Sequence, residues 1–400
     1  MKTATITWIT YNNYGTELQA YALQQFLKNE GIYNDIISDQ NIVNQYKTSQ
    51  EINTAVNESL IPQKCANLTY KLIYRIKKYA FHPAVFCKTL YQYCVYKKEA
   101  KKRKIYDNSQ QAFETFKKEH LKIVYGMYRK DMVSLNQMYD AFLCGSDQIW
   151  SVLEQNFDGY FYLDFVEKTK IAYATSIGTE RVDQEHGAKI TEWLKNYKAI
   201  AVREQKTAKQ LSELTGKEIE WVVDPTLLHD KVFWSNFCAD TPFPKNKYLL
   251  CYFLTDKSWY FEYASDLAKY LHLKLLLIPS KASYTKKKEC YCKTVGPIEF
   301  VSLFQHAQYV LTDSYHGSIF SMLFEKDFIY LKRFYDSDPI CQNIRVYSLF
   351  QKLGLLNHIV EERNFSPDDI QIIDYNRVNK IIMDFRKQSI QFLHNALSKV

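Results

Sequence analysis

Tyr309-Val310-Leu311-Thr312-Asp313-Ser314-Tyr315-His316-Gly317-Ser318-Ile319-Phe320 divides into three pieces. The apolar run Tyr309–Leu311 has the length and composition of a buried strand. It stops at polar Thr312-Asp313-Ser314. From Gly317 a helical periodicity opens, with Ile319, Phe320, Met322, Leu323 and Phe324 apolar. Strand, tight turn and helix form the repeating unit of a parallel α/β sheet, which binds ligands at its strand C-termini. Asp313 and His316 fall in the turn. A histidine there can change charge near neutral pH and act as general acid or base, or it can simply cap the helix.

The same unit recurs on both sides. At the N-terminus, strand Thr5–Thr10 leads through a loop to helix Glu17–Asn29, with Gly31 as its C-cap, and then to strand Tyr33–Ile37. The loop Asn12-Asn13-Tyr14-Gly15 would point backbone N–H groups at an anion, although it carries no GxGxxG. Strands Ala141–Cys144, Ile171–Ala174, Ala199–Val202 and Glu220–Val223 end at Ser146-Asp147-Gln148, Thr175-Ser176, Arg203-Glu204 and Asp224-Pro225-Thr226. Polar residues past four successive strand ends predict a lined cleft.

Asp240-Thr241-Pro242-Phe243-Pro244 is the best linker. Beyond it follow strand Tyr248–Leu254, helix Trp259–Leu271, strand Lys274–Ile278, helix Pro297–Gln305, the opening stretch and strand Phe328–Leu331. The last helix, Arg377–Leu397, is long enough to cross back to the first domain. The expected organisation is 1–240, 241–375 and a C-terminal helix from 376. That makes two doubly wound domains with a ligand cleft between them.

Residues from about 46 to 130 interrupt the alternation. They read as a helical, basic and aromatic insertion in the first domain, with helices expected at Tyr70–Tyr79, Phe86–Tyr96 and Phe113–His120. The run Lys97–Lys104 concentrates the charge. It is either a solvated helix face or a surface for an anionic membrane.

The 400 residues imply two domains, and 46% hydrophobic with 24% charged residues fits a soluble enzyme. The net charge of +8 suits an anionic substrate, a membrane surface or nucleic acid. There are nine cysteines, an odd number, with no CxxC pair, and several sit inside apolar runs. Reduced thiols in a cytoplasmic protein without a structural metal are expected. No signal peptide and no transmembrane stretch is read.

An ordered set of short motifs now resembles one family. They are Asn13-Tyr14-Gly15 with Leu18-Gln19-Ala20-Tyr21, Gly145-Ser146-Asp147-Gln148-Ile149-Trp150, Ala172-Tyr173-Ala174-Thr175-Ser176, Val202-Arg203-Glu204, Val223-Asp224-Pro225-Thr226, Gly296-Pro297-Ile298-Glu299-Phe300 and Thr312-Asp313-Ser314-Tyr315-His316-Gly317. Together they resemble the polysaccharide pyruvyl transferases, in the subgroup with an Asp-Ser-aromatic-His-Gly motif. The resemblance implies a GT-B-like pair of Rossmann-type domains. It also implies pyruvate transfer from phosphoenolpyruvate onto two sugar hydroxyls, forming a cyclic ketal. The acceptor would be a precursor of a cell-surface polymer such as a capsule or exopolysaccharide, in some cases lipid-linked. No metal or nucleotide cofactor is expected.

On that resemblance His316 is the general acid/base and Arg203 binds the donor, unless Arg203 merely pairs with Glu204. The family often carries arginine two residues before the histidine, where this chain has Ser314. A second cation must then come from Lys332, Arg333 or Arg345, with Arg345 the first choice. Asn13, Gly15 and Gln19 would shape the cleft or cap a helix. Asp147 and Gln148 would hold sugar hydroxyls or cap a helix. Asp224 and Pro225 read as structural. Glu299 would bind sugar hydroxyls, or sit as a favourable charge at a helix N-terminus. The rival readings are a GT-B glycosyltransferase using a nucleotide-sugar, and a basic nucleic-acid-binding protein in which no recognised module is found.

Overall fold

Strand β1 (Lys2–Ile6) is buried almost throughout, as a strand covered on both faces must be. It lies inside a seven-stranded sheet with β2 (Tyr33–Ile37), β3 (Ile123–Val124), β4 (Ala141–Cys144), β5 (Thr169–Thr175), β6 (Ala199–Val202) and β7 (Glu220–Trp221). The order is β3-β2-β1-β4-β5-β6-β7 and every pairing is parallel. The order reverses between β1 and β4, the switch point where doubly wound sheets bind ligands. The computed structural model describes residues 1–42, 83–152, 157–291, 293–338 and 340–398, with the backbone alone at 83–96, 98–100, 102 and 286.

A second parallel sheet is built from β8 (Tyr248–Tyr252), β9 (Lys274–Leu277), β10 (Tyr309–Thr312), β11 (Phe328–Leu331) and β12 (Ile359–Val360). Its order, β9-β8-β10-β11-β12, reverses between β8 and β10. The helices are α1 (Tyr14–Asn29), α2 (Pro83–His120), α3 (Gln184–Leu194), α4 (Gln205–Thr215), α5 (Lys231–Phe237), α6 (Ser258–Tyr270), α7 (Pro297–His306), α8 (Tyr315–Leu323), α9 (Ile344–Leu353) and α10 (Tyr375–Leu397). The main core joins α1 (Leu18, Phe26), α7 (Phe300, Phe304), α8 (Ile319, Phe320) and α10 (Phe385, Phe392) in one cluster shared by both domains. Two further clusters cover the outer faces of the two sheets. The architecture is a GT-B-like α/β fold.

Helix α10 touches both domains. At its start Tyr375 Oη donates to Lys326 O. Further along, Ser389 Oγ accepts from Val223 N at 2.9 Å, and Arg386 donates to Leu227 O and His229 O.

Several boundaries differ from expectation. β1 ends at Ile6, where its ladders to Ile37 and Cys144 stop, rather than at Thr10. Thr7 then gives its hydroxyl to Ser146 O at 3.0 Å, and the chain leaves the sheet. α1 starts at Tyr14 because Asn13 Oδ1 accepts from Gly15 N and Thr16 N. α8 starts at Tyr315 because Ser314 Oγ accepts from Gly317 N, so His316 belongs to its first turn. Helix α9, which carries Arg345, was not expected. Of the insertion, residues 83–120 form one helix with Lys97, Lys101, Arg103 and Lys104 exposed; the expected helix Tyr70–Tyr79 lies outside the described residues. No described helix is long and apolar enough to cross a membrane.

Candidate active site

The two switch points face one another across a cavity of about 360 Å³, within the range of small-molecule sites. The first domain lines it with Trp8, Tyr11 and Asn13 after β1, Thr16 on α1, and Asp147 and Gln148 after β4. The second lines it with Leu254 after β8, Asp313–His316 after β10, Arg333 and Phe334 after β11, and Gln342 and Arg345 at α9, with Tyr330 and Val346 completing the wall.

His316 is 6% exposed, and its Nε2 lies 3.3 Å from Asp224 Oδ2. The two are close enough for an ion pair but not aligned as a hydrogen bond. Asp224 also accepts from Arg203 Nη1 at 2.7 Å and from Thr226 N at 3.0 Å. Burial alone would raise the Asp224 carboxyl. The His316 ring, Arg203 and the Thr226 hydrogen bond outweigh it and hold the group well below the usual carboxylate range. Asp224 therefore stands as an anion behind the histidine, not as a mere turn residue. The sequence offered no local sign of this, because its partners come from distant segments.

Arg203 is 2% exposed and lies behind the cavity. It faces three carboxylates: Asp224 at 2.7 Å, Asp147 at 3.4 Å and Glu204 at 3.7 Å. Burial works against its charge, but Asp224 and Asp147 raise its pKa further still. Its guanidinium sits 5.0 Å from the Tyr315 ring centroid. Its charge is thus already balanced within the protein, so it does not line the cavity as a donor-binding group would.

Arg345 does line the cavity. Its guanidinium carbon is 5.8 Å from the same Tyr315 ring, its Nε has no hydrogen-bond partner, and it forms no ion pair among the described residues. Burial and the nearby charge of Arg203 lower its pKa, against the pull of Asp147 and Glu204. Arg333 also faces in and, among the described residues, is hydrogen-bonded only to the neutral Thr255 hydroxyl, at 3.1 Å. Lys332 is turned elsewhere, paired with Asp336 at 2.6 Å and Glu361 at 2.7 Å. Consecutive residues leaving a strand point to opposite faces, which is why Arg333 and not Lys332 reaches the cavity.

The remaining expected residues divide between lining and support. Ser314 and Asn13 each cap a helix and also line the cavity. Asp313 takes Leu254 N at 2.6 Å and Thr255 N at 2.9 Å, tying β10 to β8 across the switch point. Asp147 accepts from Thr16 Oγ1 at 2.7 Å, and Gln148 Nε2 donates to Gln342 Oε1 of the other domain at 3.0 Å. Gln19 is fully buried, bonded to Thr7 Oγ1 and Thr16 O, and does not reach the cavity. Glu299 is spent on its own helix, accepting from Gly296 N at 2.9 Å, and lies outside the lining. The N-termini of α1, α8 and α9 meet at the cavity, and helix N-termini favour negative ligands.

Solved structures to which this chain is similar include three with TM-scores below 0.5. The UDP-GlcNAc 2-epimerase from Neisseria meningitidis bound to UDP-GlcNAc shares 10% identity over 99% of this chain and 93% of that one, with a TM-score of 0.45. Anabaena HepE in complex with UDP-glucose shares 9% over 99% and 100%, with a TM-score of 0.48. The E. coli heptosyltransferase WaaC with ADP shares 11% over 96% and 99%, with a TM-score of 0.40. No curated protein matches the sequence. The family model of the polysaccharide pyruvyl transferases matches residues 13–333, from the Asn13 cap of α1 to the cavity-facing Arg333. The chain belongs to the polysaccharide pyruvyl transferase family and is a transferase acting on a glycan.

Proposed function

We propose that this protein transfers pyruvate from phosphoenolpyruvate to two hydroxyls of a sugar, forming a cyclic ketal on a precursor of a cell-surface glycan such as a capsule or exopolysaccharide. One observation carries the reading: Arg345 and Arg333, which form no ion pair with a carboxylate among the described residues, line the same cavity as an aspartate-paired histidine. Phosphoenolpyruvate presents a carboxylate and a phosphate, and two guanidiniums beside three helix N-termini suit that pair of anions.

In this reading a proton goes to the methylene carbon of the donor and leaves an oxocarbenium-like centre at C2. One sugar hydroxyl attacks C2 and loses its proton, and phosphate departs. The second hydroxyl then attacks the oxocarbenium centre that the departing phosphate leaves at C2, and its proton goes to that phosphate, closing the ketal. Ionised Asp224 favours the Nε2–H form of His316, which leaves Nδ1 to take or give the reacting proton. Arg203 acts behind Asp224 as a positioning residue. No metal or nucleotide cofactor enters this scheme, and the reaction is placed in the cytoplasm, where phosphoenolpyruvate is made.

Melting curves test the donor. Phosphoenolpyruvate should raise the melting temperature, and UDP- and ADP-sugars should not. The reverse result would establish the nucleotide-sugar reading instead, although Glu299, the residue that would have bound ribose, is committed to its helix cap. His316→Ala should abolish transfer without lowering the melting temperature by more than a few degrees.

A further inference from the structure

Helix α2 carries the basic run Lys97–Lys104, which the proposed chemistry does not use. The run holds six cations against one acid, Glu99. Further along, one side of the helix is fixed to the body of the protein. Ser109, Phe113 and Phe116 are buried. Val295 N of the second domain donates to Ser109 Oγ at 2.9 Å, and Asn12 Nδ2 of the first donates to Gln110 O at 3.3 Å. Asn12 lies between Tyr11 and Asn13, which line the active-site cavity.

The other side of α2 faces out. Lys97, Lys101, Lys104, Asn108, Gln111 and Thr115 are all exposed and follow the period of the helix, so they form one stripe. No acid stands in it. Glu99, Asp107 and Glu114 occupy other positions of the helix, and the stripe ends at Lys118 and Glu119. The second domain adds charge beside it. Helix α2 packs against the turn Ala282–Lys286, which Lys281, Lys287 and Lys288 flank. The acids at that turn are Glu289 and Asp256, and Asp256 accepts from Ser283 Oγ at 3.0 Å. Two basic runs from distant parts of the chain thus meet at one surface.

We propose that the outward stripe of α2 docks this protein on a bilayer rich in anionic phospholipid. Clustered lysines and arginines on a helix complement anionic headgroups. The stripe has no aromatic side chain on which a nucleobase could stack, which favours lipid over single-stranded nucleic acid. It has no apolar side chain either, so the contact is with headgroups rather than acyl chains, and salt must weaken it. The loop at Asn12 then lies about one helix diameter, about 10 Å, from the headgroups. The purpose of this placement rests on the proposed reaction: an acceptor sugar carried on a lipid would be presented beside the cavity.

Co-sedimentation of the full chain with vesicles tests the docking. Vesicles of equal parts phosphatidylglycerol and phosphatidylcholine should bind it at least about tenfold more tightly than phosphatidylcholine alone, and about 0.5 M NaCl should remove the difference. The triple variant Lys97→Glu, Lys101→Glu, Lys104→Glu should lose that preference while keeping the melting temperature within a few degrees and the phosphoenolpyruvate melting shift. The control Lys195→Glu, Lys380→Glu, Lys387→Glu changes the same charge at exposed positions elsewhere and should bind vesicles like wild type. No preference for the anionic vesicles, an equal loss in the control, or tighter binding to duplex DNA or single-stranded RNA than to the vesicles overturns the proposal. Vesicle binding without a phosphoenolpyruvate shift would sink the donor assignment and leave the docking face standing. A phosphoenolpyruvate shift without vesicle binding would sink the docking face alone.

Discussion

Gly15 of the first domain and His316 of the second are fitted to one another: a Cβ on Gly15 would lie 2.0 Å from His316 Nδ1. The ring rests on the first turn of α1, and the nitrogen left over from Asp224 is the one beside the glycine. Gly15→Ala should therefore push the imidazole aside without straining the backbone. Displacement of about 1 Å can cost about 10²-fold in rate. A loss of that order in kcat, with donor affinity kept and the melting temperature within a few degrees, is expected. Wild-type kcat in this variant would show that the ring has room to spare.

Two arginines that share Tyr315 should respond in opposite ways. Arg203 balances Asp224, Asp147 and Glu204, so Arg203→Ala leaves buried carboxylates without their cation and should cost about 3–5 kcal/mol of stability. Arg345 forms no ion pair among the described residues and feels Asp147 and Glu204 only at longer range. Arg345→Ala should leave urea stability unchanged or raised, while donor affinity falls about tenfold to a hundredfold, the equivalent of one charge-assisted contact. Equal destabilisation by the two variants would contradict this division of labour.

Lys332→Ala separates neighbouring residues. Its ion pairs with exposed partners are worth about 1 kcal/mol at most, and it does not face the cavity. Phosphoenolpyruvate affinity measured by calorimetry should match wild type. Arg333→Ala, one position on, should weaken it by about tenfold.

Glu17 carries a pH prediction. It is fully buried on α1, and both carboxylate oxygens lack hydrogen bonds. Lys117 stands 3.8 Å away but is itself held at 2.6 Å by Glu114. Burial wins over Lys117 and pushes the Glu17 carboxyl up to about 9. A glutamate ionises near pH 4.3 in the unfolded chain. A folded-state pKa raised in this way gives stability that is complete below pH 4.3 and is lost as pH rises towards 9. Glu17→Gln should flatten the urea midpoint over that window and stabilise the protein at pH 8 by on the order of 1 kcal/mol. A midpoint that still falls as steeply would assign the pH dependence to another group.

Much of the fold was legible because buried parallel strands read as short apolar runs: β4, β6 and β11 begin and end where the sequence changes character. β1 misled, since Trp8 and Ile9 continue its apolar run after the ladder has stopped, and Trp8 belongs to the cavity wall. His316, Arg345, Asp147, Gln148, Asp313, Ser314 and Asn13 could be picked out because polar residues past strand ends or at caps are few. Asp224 could not, because its meaning depends on a histidine and an arginine from other elements. Glu299 misled in the other direction: a carboxylate at a helix start reads alike whether it serves a ligand or its own cap.

The brace formed by α10 has a mechanical consequence. The chain passes between the domains twice, once before β8 and once through this helix, which is bonded to Lys326 in one domain and to Val223 in the other. Two pins define an axle. Sliding or twisting of one domain over the other would break one of them, and rotation about the line between them is opposed by the core that both domains share and by the bond from Tyr14 Oη to Val295 O. The hydrogen bond between the Gln148 and Gln342 side-chain amides fastens the two domains on the cavity side as well, opposite the helix.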